Sequence, residues 1–416
     1  MKTLVLTADA NTLIYHRGDL IRDLAARGCE VVTSAAEDYP HVREFMRSLG
    51  GRHRPIRMAR STVSLTRDWQ TWRDMWKLFR EEKPDALFAY TIKSVCYGCV
   101  IARLAGVRRI YALLPGLGFT FVKQQTWKGR FVAAISRLLH RIALRRANVI
   151  FVQNADDEQL LREQGILPRG VPVHVTAGSG VNLEEFPFHD PVRSPLPSPV
   201  RFVLVSRLLR SKGVELFANA ARCIQRDFPN AEFHLIGPFD PNPNRITEEE
   251  VNGWVQEGIL THHGMVRDVG SLLKQMDVFV LPTWYREGVP HATLEALAVG
   301  RAIITTNSVG AKETVRLTAK GEEERQSGLG VMTGENGFLI RPRDLDALHE
   351  AMRRVMLQRN TLAEMGRASR RLAEDVFDVR KVNAIILRAM GLADNQTTSA
   401  NSAYASAPYA ASIQAA

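Results

Sequence analysis

Two short apolar runs, Val278-Phe279-Val280-Leu281 and Ala302-Ile303-Ile304-Thr305, are joined by a segment that holds a helix instead of a hairpin turn. The segment opens as a loop, Trp284-Tyr285-Arg286-Glu287-Gly288-Val289, and continues from Pro290 with Leu294, Leu297 and Ala298 at helical spacing before Gly300. Pro suits a first helical position, where a missing N–H costs nothing, and Gly closes a helix without a Cβ penalty. Strand, helix, strand is the parallel crossover unit, and its strands are buried on both faces. A chain committed to that unit is neither an all-β sandwich nor a helix bundle. Its ligands are expected in the crevice at the carboxyl ends of the strands. Glu287 falls in that loop and Glu295 eight residues later inside the helix, while the open N–H groups from Gly288 onward form an anion site at the helix start.

The same alternation runs along the first half: strands at Thr3-Leu4-Val5-Leu6-Thr7, Glu30-Val31-Val32-Thr33, Ala86-Leu87-Phe88-Ala89, Ile110-Tyr111-Ala112-Leu113, Val149-Ile150-Phe151-Val152 and Val173-His174-Val175, with helices between them. This predicts a doubly wound parallel sheet. No G-x-G-x-x-G follows the first strand, which disfavours an ordinary dinucleotide site. Prolines at 187, 191, 195, 197 and 199 mark a linker. A second α/β unit opens at Phe202-Val203-Leu204-Val205. The predicted division is 1–189 for the first domain, 190–200 for the linker, 201–376 for the second domain, 377–392 for a C-terminal helix returning to the first, and 393–416 for a small, polar, disordered tail.

Composition narrows the function classes. The chain has 416 residues, 45% of them hydrophobic and 24% charged, with four cysteines and net charge +11. No apolar run approaches the roughly 20 residues that span a bilayer, and the start lacks a signal peptide's apolar core, so the expectation is a cytoplasmic protein. Cys96 and Cys99 form a lone C-x2-C with no second pair, which reads as core cysteines on a helix. Between Asp85 and Asp156 there is no acid, yet Lys93, Arg103, Arg108, Arg109, Lys123, Lys128, Arg130, Arg137, Arg141, Arg145 and Arg146 lie there. Such a field suits an anionic partner. Within it Trp127, Phe131, Ile135, Leu138, Leu139 and Ile142 alternate with cations at helical spacing, either a basic amphipathic helix for a membrane surface or a core helix with a solvated basic face. No zinc-finger spacing or RNP motif favours nucleic acid. Asp344-Leu345-Asp346 has the form of a metal motif, but it directly precedes Ala347-Leu348 and reads as a helix start with Asp344 as N-cap. His262 and His263 are adjacent in a strand, hence on opposite faces, and do not share an ion.

Beyond the first strand of the second unit, Arg207 and Lys212 in Ser206-Arg207-Leu208-Leu209-Arg210-Ser211-Lys212-Gly213 put two cations beside a glycine, able to hold a diphosphate and neutralise its charge as it leaves. Glu287, seven residues, then Glu295 resembles the E-x7-E signature of glycosyltransferase family 4, retaining enzymes with two facing Rossmann-like domains and an interdomain cleft, the GT-B fold. The Arg207 to Gly213 turn resembles that family's Gly-Arg-Leu-x3-Lys-Gly pattern, with Ser206 in place of the first Gly. His16-Arg17, Tyr90-Thr91-Ile92-Lys93 and Gly116-Leu117-Gly118-Phe119 resemble the subgroup of bacterial enzymes that extend sugars carried on polyprenyl diphosphate. Ser94-Val95 and Pro115 depart from its pattern on the acceptor side, and Arg316 to Met332 is longer and more charged than usual.

The resemblance implies a metal-independent hexosyltransferase without cofactor, moving a hexose or N-acetylhexosamine from a UDP-sugar to a lipid-linked saccharide with an α-bond. Arg207, Lys212 and Glu287 would be catalytic, and Glu295, Arg286, Gly288, Val289 and Val266 would bind the donor. His16, Arg17, Lys93, Gly116 and Gly118 would face the acceptor. The implied partners are a UDP-sugar, a polyprenyl-diphosphate-linked saccharide and the anionic inner face of the cell membrane, where the enzyme would be peripheral. A UDP-sugar 2-epimerase and a catalytically silent membrane-surface scaffold remain as alternatives on the same architecture.

Overall fold

The computed structural model describes residues 1–58, 65–118, 121, 126–190 and 199–392. Phe119, Lys123, most of the expected linker and the tail from 393 lie outside the described residues. The chain forms two compact units, one of Met1–Ser179 with the segment from Val379 onward, the other of Gly180–Asp378. Residues 180–189, which the sequence reading gives to the first domain, belong to the second. Val181 bridges Asp378 and donates its N–H to the Phe377 carbonyl at 2.8 Å, and buried Arg301 holds the His189 carbonyl. These long-range bonds, invisible to local composition, outweigh the proline signal.

In the first unit β1 (Lys2–Leu6), β2 (Glu30–Ser34), β3 (Arg52–His53), β4 (Ala86–Tyr90), β5 (Arg109–Leu114), β6 (Val149–Val152) and β7 (Val173–Val175) make one parallel sheet in the order β3-β2-β1-β4-β5-β6-β7. In the second, β8 (Arg201–Val205), β9 (Glu232–Ile236), β10 (Thr261–His262), β11 (Val278–Leu281), β12 (Ala302–Thr306), β13 (Val331–Gly334) and β14 (Gly337–Ile340) order as β10-β9-β8-β11-β12-β14-β13. All pairs are parallel except β13 with β14, a hairpin turning at Glu335-Asn336. Strand order reverses between β1 and β4 and again between β8 and β11, the two places where an open α/β sheet leaves a crevice.

Apolar strand residues bury on both faces, as parallel strands require. Leu4, Leu6, Leu87 and Ala89 face one core of the first unit, while Val5, Ala86 and Phe88 face the other. Helices Leu65–Glu82, Ile92–Leu104 and Trp127–Leu144 cover the first of these cores, and Cys96 and Cys99 are buried in it. The Val379–Ala389 helix packs on Gly18–Ala26, with Ile386 and Leu387 in the second core and Asn383 donating to Asp23 at 2.7 Å. Among the described residues no helix is long and apolar enough to cross a membrane.

Candidate functional site

In the second unit the residues singled out by sequence gather at the carboxyl ends of β8 and β11, the reversal point of its sheet. After β8 the chain makes a short 3-10 turn, Arg210–Lys212, then passes Gly213 in the left-handed region at φ 79°. A Cβ on Gly213 would lie 2.3 Å from the Pro282 carbonyl oxygen, so only glycine lets this turn sit against the loop after β11. That contact delivers Lys212 to Glu287: the ammonium lies 2.6 Å from each carboxylate oxygen, both side chains largely buried. Trp284 donates its N–H to the Ser211 carbonyl at 3.0 Å, and Thr283 Oγ1 lies 3.1 Å from the same oxygen. Gly310 (φ 81°) closes the far side, where a Cβ would fall 2.1 Å from the Gly288 carbonyl.

Arg207 is more open and is held by Asp240 at 2.8 Å. Pro290 caps the His291–Val299 helix instead of occupying its first turn as expected; its ψ of 119° is extended, and Gly300 ends the helix at φ 86°. Gly288 and Val289 are buried and Arg286 half-buried in the preceding loop. Glu295 points back along the helix to His291, 3.5 Å away, and is half-buried. Burial, reinforced by the charge of Glu185, pushes its carboxyl up to about 8. Val266 lies half-buried in the loop after β10. His262 and His263 turn to different partners, the Gly237 carbonyl at 3.2 Å and His234 at 3.0 Å. Asp344 accepts the Ala347 N–H at 2.9 Å, which makes it the N-cap of the Leu345–Leu357 helix. Among the described residues no group of three or more His, Cys, Asp or Glu converges on a point.

In the first unit the residues expected to face the acceptor follow the carboxyl ends of β1, β4 and β5. His16 closes the Thr12–Tyr15 turn with its N–H on the Thr12 carbonyl. Arg17 is 2% exposed, and its guanidinium lies over the Tyr90 ring at 5.7 Å. Its Nε and Nη1 have no hydrogen-bond partner among the described residues, and burial lowers its pKa to about 10. Tyr90 is in turn hydrogen-bonded to Thr12 at 3.0 Å, and Thr91 adopts φ 75°, a left-handed conformation unusual for a β-branched residue. Gly116 and Gly118 both have positive φ, 147° and 60°. Lys93, expected to face the acceptor, is buried and paired with Asp68 at 2.9 Å.

Sequence reasoning missed Asp68, Asp240, Thr283 and Arg343. The last has φ 62° and stacks 5.1 Å above Trp284 in the Glu287 loop. None carries a local motif, because each meets its partner only through strand order.

Two protein-family profiles match the chain. A glycosyl transferase 4-like domain covers residues 15–178, and a domain of glycosyl transferases group 1 covers 199–358. The N,N'-diacetylbacillosaminyl-diphospho-undecaprenol alpha-1,3-N-acetylgalactosaminyltransferase of Campylobacter jejuni is 26% identical over 74% of this chain and 81% of its own length. The UDP-Gal:alpha-D-GlcNAc-diphosphoundecaprenol alpha-1,3-galactosyltransferase of Escherichia coli is 27% identical over 70% of this chain and 72% of its own. Anabaena HepE, solved with UDP and glucose, superposes with TM-score 0.69 over 94% of this chain and 99% of that one at 16% identity, a likeness of fold. With one such domain in each half and a doubly wound sheet in each unit, the chain belongs to glycosyltransferase family 4 and is a glycosyltransferase of the GT-B fold.

Proposed function

We propose that this glycosyltransferase moves a hexose or N-acetylhexosamine from a UDP-sugar to a saccharide carried on polyprenyl diphosphate, with retention at the anomeric carbon, in cell-surface polysaccharide synthesis. The observation that carries the reading is the Lys212–Glu287 pair at the sheet reversal, beside Arg207 and ahead of a helix start. An ammonium has three donors, so Lys212 can keep Glu287 and still bind a diphosphate oxygen. Arg207 adds a second cation, and the open N–H groups near Gly288 a third source of positive potential. Glu287 then holds a sugar hydroxyl beside the leaving group, Glu295 holds the ribose, Val266 and Val289 flank the nucleotide, and Arg286 supports the loop. The acceptor hydroxyl attacks the anomeric carbon as its bond to the diphosphate breaks; the proton passes to a diphosphate oxygen and UDP leaves. Three sources of positive potential compensate the leaving charge without a metal ion.

On the acceptor side, Arg17 with its unmatched donors is the anion holder, and His16, Gly116 and Gly118 shape the approach; Lys93 acts through its pair with Asp68. Docking to the cytoplasmic leaflet is supported by the Trp127–Leu144 helix. At roughly 100° per residue, Trp127, Phe131, Ile135, Leu138 and Ile142 occupy a single arc of about 80°. All five are exposed, Trp127 at 73% and Phe131 at 62%, while Ala133, His140, Ala143 and Leu144 bury on the opposite side. Lys128, Arg130 and Arg145 are exposed around the stripe.

The experiment is UDP release from a panel of UDP-sugars with and without a polyprenyl-diphosphate-linked saccharide. Release that depends on acceptor, with an α-linked product, is expected. UDP release or sugar isomerisation without any acceptor would overturn the reading in favour of an epimerase.

A further inference from the structure

The Leu65–Glu82 helix carries a second outward stripe. Trp69, Arg73, Trp76 and Arg80 follow one another at spacings of four, three and four residues, an arc of roughly 60°. Trp69 is 71% and Trp76 43% exposed, whereas Met75, Leu78 and Phe79 bury on the far side of the helix. A tryptophan's large apolar ring is costly to leave in water, and two on one stripe beside arginines form the composition of a membrane interface. Arg73 and Lys77 are themselves exposed, with neighbouring acids at 3.8 and 3.6 Å; Asp74 is already engaged by Arg57 at 2.7 Å and the Lys77–Glu81 pair is exposed and weak, so both charges stay available.

This helix and Trp127–Leu144 lie in one layer. Both bury into the same core, and Ile92–Leu104 packs between them. At an interaxial spacing of 8–10 Å per packed pair, two such steps place their axes roughly 16–20 Å apart. Where the Leu65–Glu82 helix ends, the surface dips into a cavity of about 690 Å³ lined by Arg80, Lys83, Arg108 and Arg109 with one acid, Asp85. Asp85 already accepts the Lys2 N–H, so the lining favours an anion.

We propose that the Leu65–Glu82 helix is a second bilayer-contact element, so that the first unit rests on an anionic membrane through two helices and seats lipid phosphate in the basic cavity at its C-terminal end. The inference rests on the reading that the Trp127–Leu144 helix meets the membrane. One surface helix lets a domain roll about its axis; two, side by side, remove that freedom. Helices of a doubly wound layer run antiparallel to the strands, so a domain lying on this layer holds its strands along the membrane. The carboxyl-end loops with Arg17 and Gly116 then open sideways at headgroup level, where a lipid-linked diphosphate emerges.

The test is sedimentation of the full-length protein with phosphatidylglycerol/phosphatidylcholine and pure phosphatidylcholine vesicles, with turnover on a short-chain soluble acceptor as the folding control. W69S/W76S is expected to weaken binding to the anionic vesicles about tenfold, equivalent to about 1.4 kcal/mol, with soluble-acceptor turnover unchanged. R80S/K83S/R108S is expected to weaken it similarly, and millimolar pyrophosphate to weaken wild-type binding by no more than that; tight pyrophosphate binding to the protein without vesicles would instead assign the cavity to a free anion and overturn its role for lipid phosphate. Wild-type-like binding by W69S/W76S, alongside loss in F131S/L138S, overturns this proposal while the first helix stands. Retained binding in F131S/L138S, or equal negligible wild-type binding to both vesicle types, overturns the reading beneath it.

Discussion

Lys212 meets both oxygens of Glu287 at 2.6 Å, and Arg207 meets Asp240 at 2.8 Å, so each cation is aimed before any ligand arrives. Preorganised charge of this kind costs no reorganisation during reaction, and losing one such group lowers turnover by roughly 10² to 10³. Lys212→Ala and Arg207→Ala should show that loss at saturating donor with Tm little changed; near-normal turnover would refute the diphosphate clamp. Glu295 makes a pH prediction. Its native carboxyl keeps a proton up to about 8, well above an unfolded glutamate near 4.5. Between those values the native state binds more protons than the unfolded one, so this group's contribution to stability falls as pH rises. Thermal melts of Glu295→Gln should therefore fall less steeply than wild type from pH 5 to 8, while donor KM rises about fivefold, as for the loss of one neutral hydrogen bond of ~1 kcal/mol. Parallel melting profiles would show that Glu295 is not the titrating group. Arg17 is the third case: a buried guanidinium without full pairing is often replaced by an apolar side chain at no cost in stability. Arg17→Met should keep or raise Tm yet lose acceptor-dependent turnover, and a large drop in Tm would make Arg17 structural.

At the scale of elements, glycines set the approach of one loop to another. Gly213 and Gly310 hold the Glu287 loop from two sides, each where a Cβ would strike backbone oxygen. The Leu345–Leu357 helix shows how a motif dissolves into local chemistry. Asp344 is engaged by the Ala347 N–H and Asp346 lies exposed in the first turn, so the pair complements a helix start. Asp344→Ala should lower stability by about 0.5–2 kcal/mol, as N-cap losses do. Asp346→Asn should leave turnover unchanged in excess chelator; activity abolished by chelator and restored by Mn²⁺ would contradict a metal-free leaving-group site.

For the whole molecule, the expectation concerns salt. Each Lys or Arg near an anionic leaflet contributes about 1 kcal/mol of attraction, screened within a Debye length. Binding to phosphatidylglycerol vesicles should therefore weaken steadily from low to high salt, and a salt-independent partition would point to apolar insertion alone. The order of strands and helices was legible because periodicity and turn residues are local: the Val278 to Thr305 unit identified a parallel sheet, with Glu287 in the loop after β11 and Glu295 in the helix that follows. Partners were not legible. Lys93, expected to face the acceptor, is met by Asp68, twenty-five residues earlier, and the boundary near 179 depends on Val181 joining Phe377. The Trp127–Leu144 helix has apolar residues on two sides, and its sequence does not say which side meets the core; the small residues Ala133 and Ala143 fit there, leaving the aromatic side in water. Sequence by itself determined the elements and the chemical groups at their ends, since these follow from neighbours along the chain. Only the tertiary structure decided which charges are matched, which apolar stripe is exposed and where the sheets reverse, because each depends on contacts between residues far apart in sequence.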